Sequence, residues 1–190
     1  DDVESRGLGD VYKRQGEIHF NGKPVTIRSP QDAVRAGMAM VTEDRRDLGI
    51  IKTASVKDNM SIAALSRFCS GAGFVKKDAE KKAVSEMIGQ MSVKAANAGM
   101  LITSLSGGNQ QKAIIGRWLM TSPKLLILDE PTRGIDVGAK SEIYSIMGEL
   151  ARQGMAIIVV SSEMPEILGV CSRIYTCLLY TSPSPRDSTS

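Results

Sequence analysis

Lys124-Leu125-Leu126-Ile127-Leu128-Asp129-Glu130-Pro131 is the stretch on which the reading of this chain turns. Four consecutive large aliphatic residues run into two acids and a proline. An unbroken apolar run of this length is the pattern of a strand covered on both faces, as strands of parallel sheets are. Ligands of open α/β sheets bind beyond the carboxyl ends of such strands, which is where Asp129 and Glu130 fall. Downstream, Ala139 to Gln153 carries Ile143, Ile146, Met147 and Leu150 on one helical face. Ala156 to Ser161 then reads as another buried strand. Strand, helix, strand at this interval predicts a crossover unit and a parallel sheet.

Upstream the pattern continues. Asn109 to Met120 reads as a helix, and so do Asp58 to Ser66 and Lys76 to Met91, the last with Ala83, Met87, Ile88 and Met91 on one face. Lys76 to Lys82 reads as a solvated charged face. Ala39 to Val41 is a short strand candidate. Ser29 can cap a helix whose first residue is Pro30 and which ends at Gly37. Asn21-Gly22 between two β-prone runs predicts a hairpin over Glu17 to Ile27. Met87, Met91, Met147 and Met155 read as core filler, and Trp118 as a packing residue. There is no internal repeat.

Composition narrows the class. The chain has 190 residues, 42% of them hydrophobic and 24% charged, an ordinary balance for one globular domain. A net charge of +3 with scattered basic residues argues against a nucleic-acid partner. The three cysteines, Cys69, Cys171 and Cys177, have no metal-ligand spacing, which suits a reducing compartment. The longest apolar run, Met155 to Val160, is far too short to cross a bilayer. No segment has the pattern of a signal peptide, so a cytoplasmic location is expected. His19, the one histidine, is expected at the surface of the hairpin.

Two motifs carry chemistry. In Leu105-Ser106-Gly107-Gly108-Asn109-Gln110-Gln111-Lys112, two glycines allow close backbone approach, and the helix that follows presents free N–H groups and its positive dipole end. Such a corner suits a phosphate, although Ser-Gly-Gly taken alone reads more readily as a plain loop. At Asp129-Glu130, one carboxylate can hold Mg²⁺ through water and the next can orient or deprotonate an attacking water. Taken alone, the pair reads equally well as two solvated acids before a turn.

In combination the motifs resemble a known family. Leu105 to Lys112, the strand ending at Asp129-Glu130, and Pro131-Thr132-Arg133-Gly134-Ile135-Asp136 are similar, in order and spacing, to the signature, Walker B strand and D-loop of ABC ATPases. Val41-Thr42-Glu43-Asp44-Arg45-Arg46, Glu130 to Lys140 and Ser161 to Gly169 further resemble the second nucleotide-binding domain of carbohydrate importers of the ribose, galactose and xylose type. The resemblance implies an α/β, P-loop NTPase-like fold: a parallel sheet core with helices, an antiparallel hairpin and a helical subdomain, incomplete at the N-terminus.

The resemblance also implies ATP and Mg²⁺ as cofactors, with Asp129 as the metal ligand and Glu130 as the catalytic residue. Ser106, Gly107, Gly108 and Gln110 would touch nucleotide across an interface, completing the site of a partner domain. Asp136 belongs to the D-loop, Glu43 stands at the Q-loop glutamine position and Ser162 at the switch histidine position. Implied partners are a first nucleotide-binding domain on the same polypeptide or a second copy, membrane permease subunits and, indirectly, a periplasmic sugar-binding protein. The implied location is peripheral, on the cytoplasmic face of the cell membrane. Two rival readings are a soluble ABC ATPase outside transport and a degenerate half that only completes a partner's site.

Some features depart from the family. No Gly-x-x-x-x-Gly-Lys-[Ser/Thr] phosphate loop occurs in the 190 residues, which is read as truncation. Glu43 and Ser162 replace residues suited to the γ-phosphate, because a serine cannot exchange a proton near neutral pH as histidine can. Ser5 to Gln15 and Cys177 to Asp187 resemble the two strands of a sequencing adapter. Residues 1–15 and 177–190 are therefore expected to be non-native flanks around a partial nucleotide-binding domain at 16–176. A natural disordered tail is the alternative for the Ser- and Pro-rich end.

Overall fold

Local punctuation sets the first elements. The computed structural model describes residues 17–44, 49–71 and 73–175; both expected flanks and Arg45 and Arg46 lie outside them. Strands β1 (Ile18–Phe20) and β2 (Lys23–Val25) pair antiparallel. Asn21 and Gly22 join them with φ of 52° and 73°, the left-handed pair that a two-residue hairpin turn needs. Helix α1 (Pro30–Ala36) opens where Ser29 Oγ accepts from the Asp32 amide at 3.2 Å, and it ends at Gly37.

Three strands form a parallel sheet in the order β3 (Met38–Val41), β4 (Leu125–Asp129), β5 (Ala156–Val160). The register pairs Val41 with Leu128 and Asp129 with Val160. β4 is central, and its Leu126 and Leu128 are fully buried, each worth roughly 1.5–3 kcal/mol of apolar transfer. Leu125 and Ile127, on the other face, are only half-buried.

β5 corrects an expectation. It is not a buried strand: Ile158 is 49% and Val160 50% exposed, while Ile157 and Val159 pack against the core. Its apolar composition matches β4, but its place does not. Among the described residues β4 is its one strand neighbour, so its other edge is unpaired, and the face that carries Ile158 and Val160 is left open. A groove of about 1090 Å³, lined along β5 by Ile157 to Ser161, reaches from Tyr144 to Tyr175.

Between β3 and β4 lies a helical region: α2 (Val56–Ser61), a 3₁₀ segment (Ile62–Phe68), α3 (Lys77–Gln90), a short 3₁₀ turn (Ile102–Ser104) and α4 (Gly107–Leu119). α5 (Val137–Arg152) and α6 (Met164–Val170) follow. The core of this region is Val56, Met60, Val84, Met91, Ile102 and Ile115, each at most 1% exposed. Met91 and Met147 are buried, and Met87, Met155 and Trp118 are partly buried against them, as core filler should be.

The charged start of α3 is not wholly solvated. Glu80 is 4% exposed, where it accepts from Ser61 Oγ at 2.6 Å and from Lys57 Nζ at 3.1 Å. A buried carboxylate persists only when paired in this way.

Candidate functional site

The signature corner begins at Ser106, which has an extended backbone and stands as the cap of α4. The helix starts at Gly107, two residues before the sequence reading placed it. The Ser106 hydroxyl makes no capping bond; it accepts from Asn109 Nδ2 at 2.9 Å. The first amides of α4 are thus not consumed by their own cap, which leaves an anion-receptive end. Gln110 turns back, donating from Nε2 to the Leu105 carbonyl at 3.0 Å, so its side chain braces the corner.

Gly108 has an internal reason to be glycine. It is buried, and the direction of its absent β-carbon is filled by the Ala139 methyl of α5. Its small size therefore lets α4 close onto α5. Just ahead, Asp136 Oδ1 accepts from the Ala139 amide at 2.9 Å and caps α5. Lys112 strengthens the same junction. It is 1% exposed, and its Nζ donates to the Ser92 carbonyl at 2.6 Å and to Glu142 at 2.8 Å. This partner holds the Glu142 carboxyl below its usual range.

Asp129 ends β4, and Glu130 follows with φ of 46°. A left-handed backbone at a non-glycine residue is uncommon and collects at functional sites. The Glu130 amide donates to the Val160 carbonyl at 2.8 Å. Its carboxylate Oε1 accepts from the Ser162 backbone amide at 2.7 Å. Glu130 and Ser162 are therefore brought together, through main chain and not through the serine hydroxyl. Among the described residues no side-chain hydrogen bond or ion pair engages the Asp129 carboxylate. Glu43, just past β3, pairs with Arg133 in the turn after β4.

Three interactions escaped the sequence reading. Arg117 on α4 is nearly buried and donates from Nε and Nη2 to the Asn59 carbonyl and Oδ1 at 2.5 and 2.9 Å, and from Nη1 to the Gly49 carbonyl at 2.7 Å; burial pushes its pKa down. Asn59 in turn holds Ile51 from both sides of its peptide. Glu166 on α6 is also buried and accepts from Thr132 and Ser161. The Arg117 bonds and the Thr132–Glu166 bond join residues 34 to 68 positions apart, and no local spacing signals them.

A parallel sheet with an anion-receptive helix end and a carboxylate pair at its carboxyl edge defines an open α/β domain whose ligands bind beyond the strand ends. A family model described as ABC transporter matches residues 8–133, well over half of the chain, and the chain belongs to that family. Several of the curated relatives it matches are named as sugar-import ATP-binding proteins. The ribose import ATP-binding protein RbsA of Geobacillus kaustophilus is 48% identical over 160 residues, covering 84% of this chain and 32% of that protein. The xylose import ATP-binding protein XylG of Brucella abortus is 52% identical over 160 residues, covering 84% and 31%. The putative ribose/galactose/methyl galactoside import ATP-binding protein 2 of Rhizobium etli is 52% identical over 168 residues, covering 88% and 33%. The chain thus spans about a third of the length of the curated relatives it matches.

Solved structures agree on the fold. A dimeric post-hydrolysis state of the ATP-binding cassette MJ0796 bound to ADP and Pi has a TM-score of 0.66 at 18% identity, covering 80% of this chain and 65% of that one. The cbiO1 protein of Clostridium perfringens, part of the ABC transporter complex cbiONQ, has a TM-score of 0.67 at 23% identity, covering 87% and 66%. The fold is that of ABC ATPases. Among the described residues no helix is long and apolar enough to cross a membrane.

Proposed function

We propose that the chain is part of the ATP-binding, ATP-hydrolysing subunit of a carbohydrate importer, coupling ATP binding and hydrolysis to sugar uptake. The observation that carries this reading is the Asp129-Glu130 pair at the carboxyl edge of β4, with the Glu130 carboxylate held by the Ser162 amide. The names of the sugar-import relatives supply the substrate class. The cargo is a carbohydrate, and the partners are membrane permease subunits, a sugar-binding protein behind them and a second nucleotide-binding domain. The chain then works at the cytoplasmic face of the membrane.

Each residue has a part in this scheme. Glu130, aimed by Ser162, orients the attacking water and takes its proton. Asp129 has the chemistry for Mg²⁺, which is held by one or two carboxylates plus substrate phosphates rather than by a protein cage. Bound there, Mg²⁺ would neutralise charge developing on the phosphates. Ser106 and the free amides at Gly107 and Gly108 face a γ-phosphate bound mainly by the partner domain. Gln110 braces them, and Asp136 holds the start of α5 beside them.

A second reading has specific support. Ser162 gives Glu130 only a main-chain N–H, and Glu43 is engaged by Arg133. On that reading the domain completes its partner's site and turns over little ATP itself. The deciding experiment measures ATPase and sugar uptake of Ser106→Ala and Glu130→Gln in the assembled importer. Loss of a poised general base from a competent site costs about 10²–10⁴-fold. A loss of that size for Glu130→Gln assigns hydrolysis to this site, and a loss of a few-fold beside a large one for Ser106→Ala assigns it the completing role. Parental rates in both variants would refute the proposal.

A further inference from the structure

Glu166 is 5% exposed and lies on α6, away from any cation in its own hydrogen bonds. Its Oε1 accepts from Thr132 Oγ1 at 2.8 Å and its Oε2 from Ser161 Oγ at 2.5 Å. The two hydroxyls belong to the two segments that frame Glu130. Thr132, itself 1% exposed, sits in the turn that leaves Glu130. Ser161 sits between Val160, whose carbonyl takes the Glu130 amide, and Ser162, whose amide holds the Glu130 carboxylate. The Ser161 hydroxyl also accepts from the Glu163 amide at 3.1 Å, so the entry to α6 is tied to the same point.

We propose that Glu166 is a positioning residue for Glu130: by gripping Thr132 and Ser161 at once, its carboxylate fixes the turn and the strand end between which the Glu130 side chain reaches the Ser162 amide. A left-handed backbone at a glutamate persists only where the surroundings over-determine it, and the Glu166 clamp supplies that constraint from both sides. A buried carboxylate is costly unless its oxygens are bonded, and here each oxygen is spent on one side of Glu130. The consequence for hydrolysis rests on the role proposed above for Glu130; the positioning itself does not.

The test is site-resolved amide hydrogen exchange on the full chain with Glu166→Gln, which keeps the volume but replaces one acceptor by a donor. Thr132→Val and Thr132→Ser are the companion variants. Loss of a hydrogen bond of this kind is expected to speed Ser162 exchange about tenfold in Glu166→Gln and Thr132→Val. Thr132→Ser keeps the hydroxyl and should stay near the parent, and Leu126 and Leu128 should keep their protection in all three. Ser162 exchange unchanged in Glu166→Gln overturns the proposal, as does equal acceleration at Leu126, because Glu166 would then support the whole fold without aiming anything. In the assembled importer Glu166→Gln should lower kcat and leave KM for ATP alone. If Glu130→Gln lowers kcat and Glu166→Gln does not, the positioning role is refuted. If Glu130→Gln itself changes nothing, the hydrolytic reading falls and the exchange result alone decides the positioning.

Discussion

Gly108 and Ala139 pack so closely that a β-carbon on the first would fall 2.3 Å from the second's methyl, well inside van der Waals contact distance. This contact joins the signature corner to the start of α5, and it changes what a substitution at Gly108 can report. Gly108→Ala should improve intrinsic helix propensity by up to about 1 kcal/mol. Overpacking costs about 1–3 kcal/mol and should win, so the variant is expected to be less stable by denaturant titration. Adding Ala139→Gly should recover part of that loss. Additive effects of the two substitutions would refute the contact.

Ser106 is the cleaner probe of the corner. A serine that caps a helix typically costs about 1 kcal/mol when replaced by alanine. The Ser106 hydroxyl does not cap α4, so Ser106→Ala should leave the thermal midpoint nearly unchanged. A drop of several degrees, about the effect of 1 kcal/mol in a domain this size, would show that the hydroxyl serves the helix after all.

Arg117 anchors α4 to Asn59 of α2 and to Gly49 in the segment between β3 and α2. Arg117→Met should keep much of the buried stem but leave the Asn59 and Gly49 carbonyls short of a donor. Hydrogen bonds to a charged group contribute about 1.5–3 kcal/mol each, so the variant should unfold at clearly lower denaturant. Arg152→Ala, an exposed ion pair worth about 0–1 kcal/mol, is the comparison. Equal effects of the two would contradict the buried network.

Acid should weaken the junction between α4 and α5. Lys112 lowers the Glu142 carboxyl's pKa in the folded chain. A depressed folded value adds stability above the unfolded value, and that stability is lost as pH falls through the folded one. The Lys112 pairing therefore weakens on the acid side of the ordinary carboxylate range. Glu142→Gln should be less stable than the parent near neutral pH and should converge with it in acid. Parallel pH profiles would mean that the pairing does not contribute.

What the sequence revealed follows from where the determinants lie. Ser29, Pro30 and Gly37 punctuate α1 from within a few residues, so its start and end were legible. So were β4 and the helix after it, through period and run length. The exposure of β5 was not, because its composition resembles that of β4 and only the elements packed on each face decide which one is covered. Glu80, Arg117 and Glu166 were also illegible: their partners lie 19, 58 and 34 residues away, and no local spacing announces such pairs. The candidate site was read from motifs, but Gly108's contact with Ala139 and the Ser162 amide's hold on Glu130 needed three dimensions.

The left-handed backbone at Glu130 sets two demands on one position against each other. Conformation alone favours glycine there, or asparagine, since a long side chain in this region carries a penalty of roughly 1–2 kcal/mol. A residue that the backbone resists is explained by what its side chain reaches, here the Ser162 amide. Screening variants of this chain for thermal robustness would therefore be drawn toward replacing Glu130, and the sturdier protein so obtained would have given up the carboxylate at the centre of its proposed chemistry.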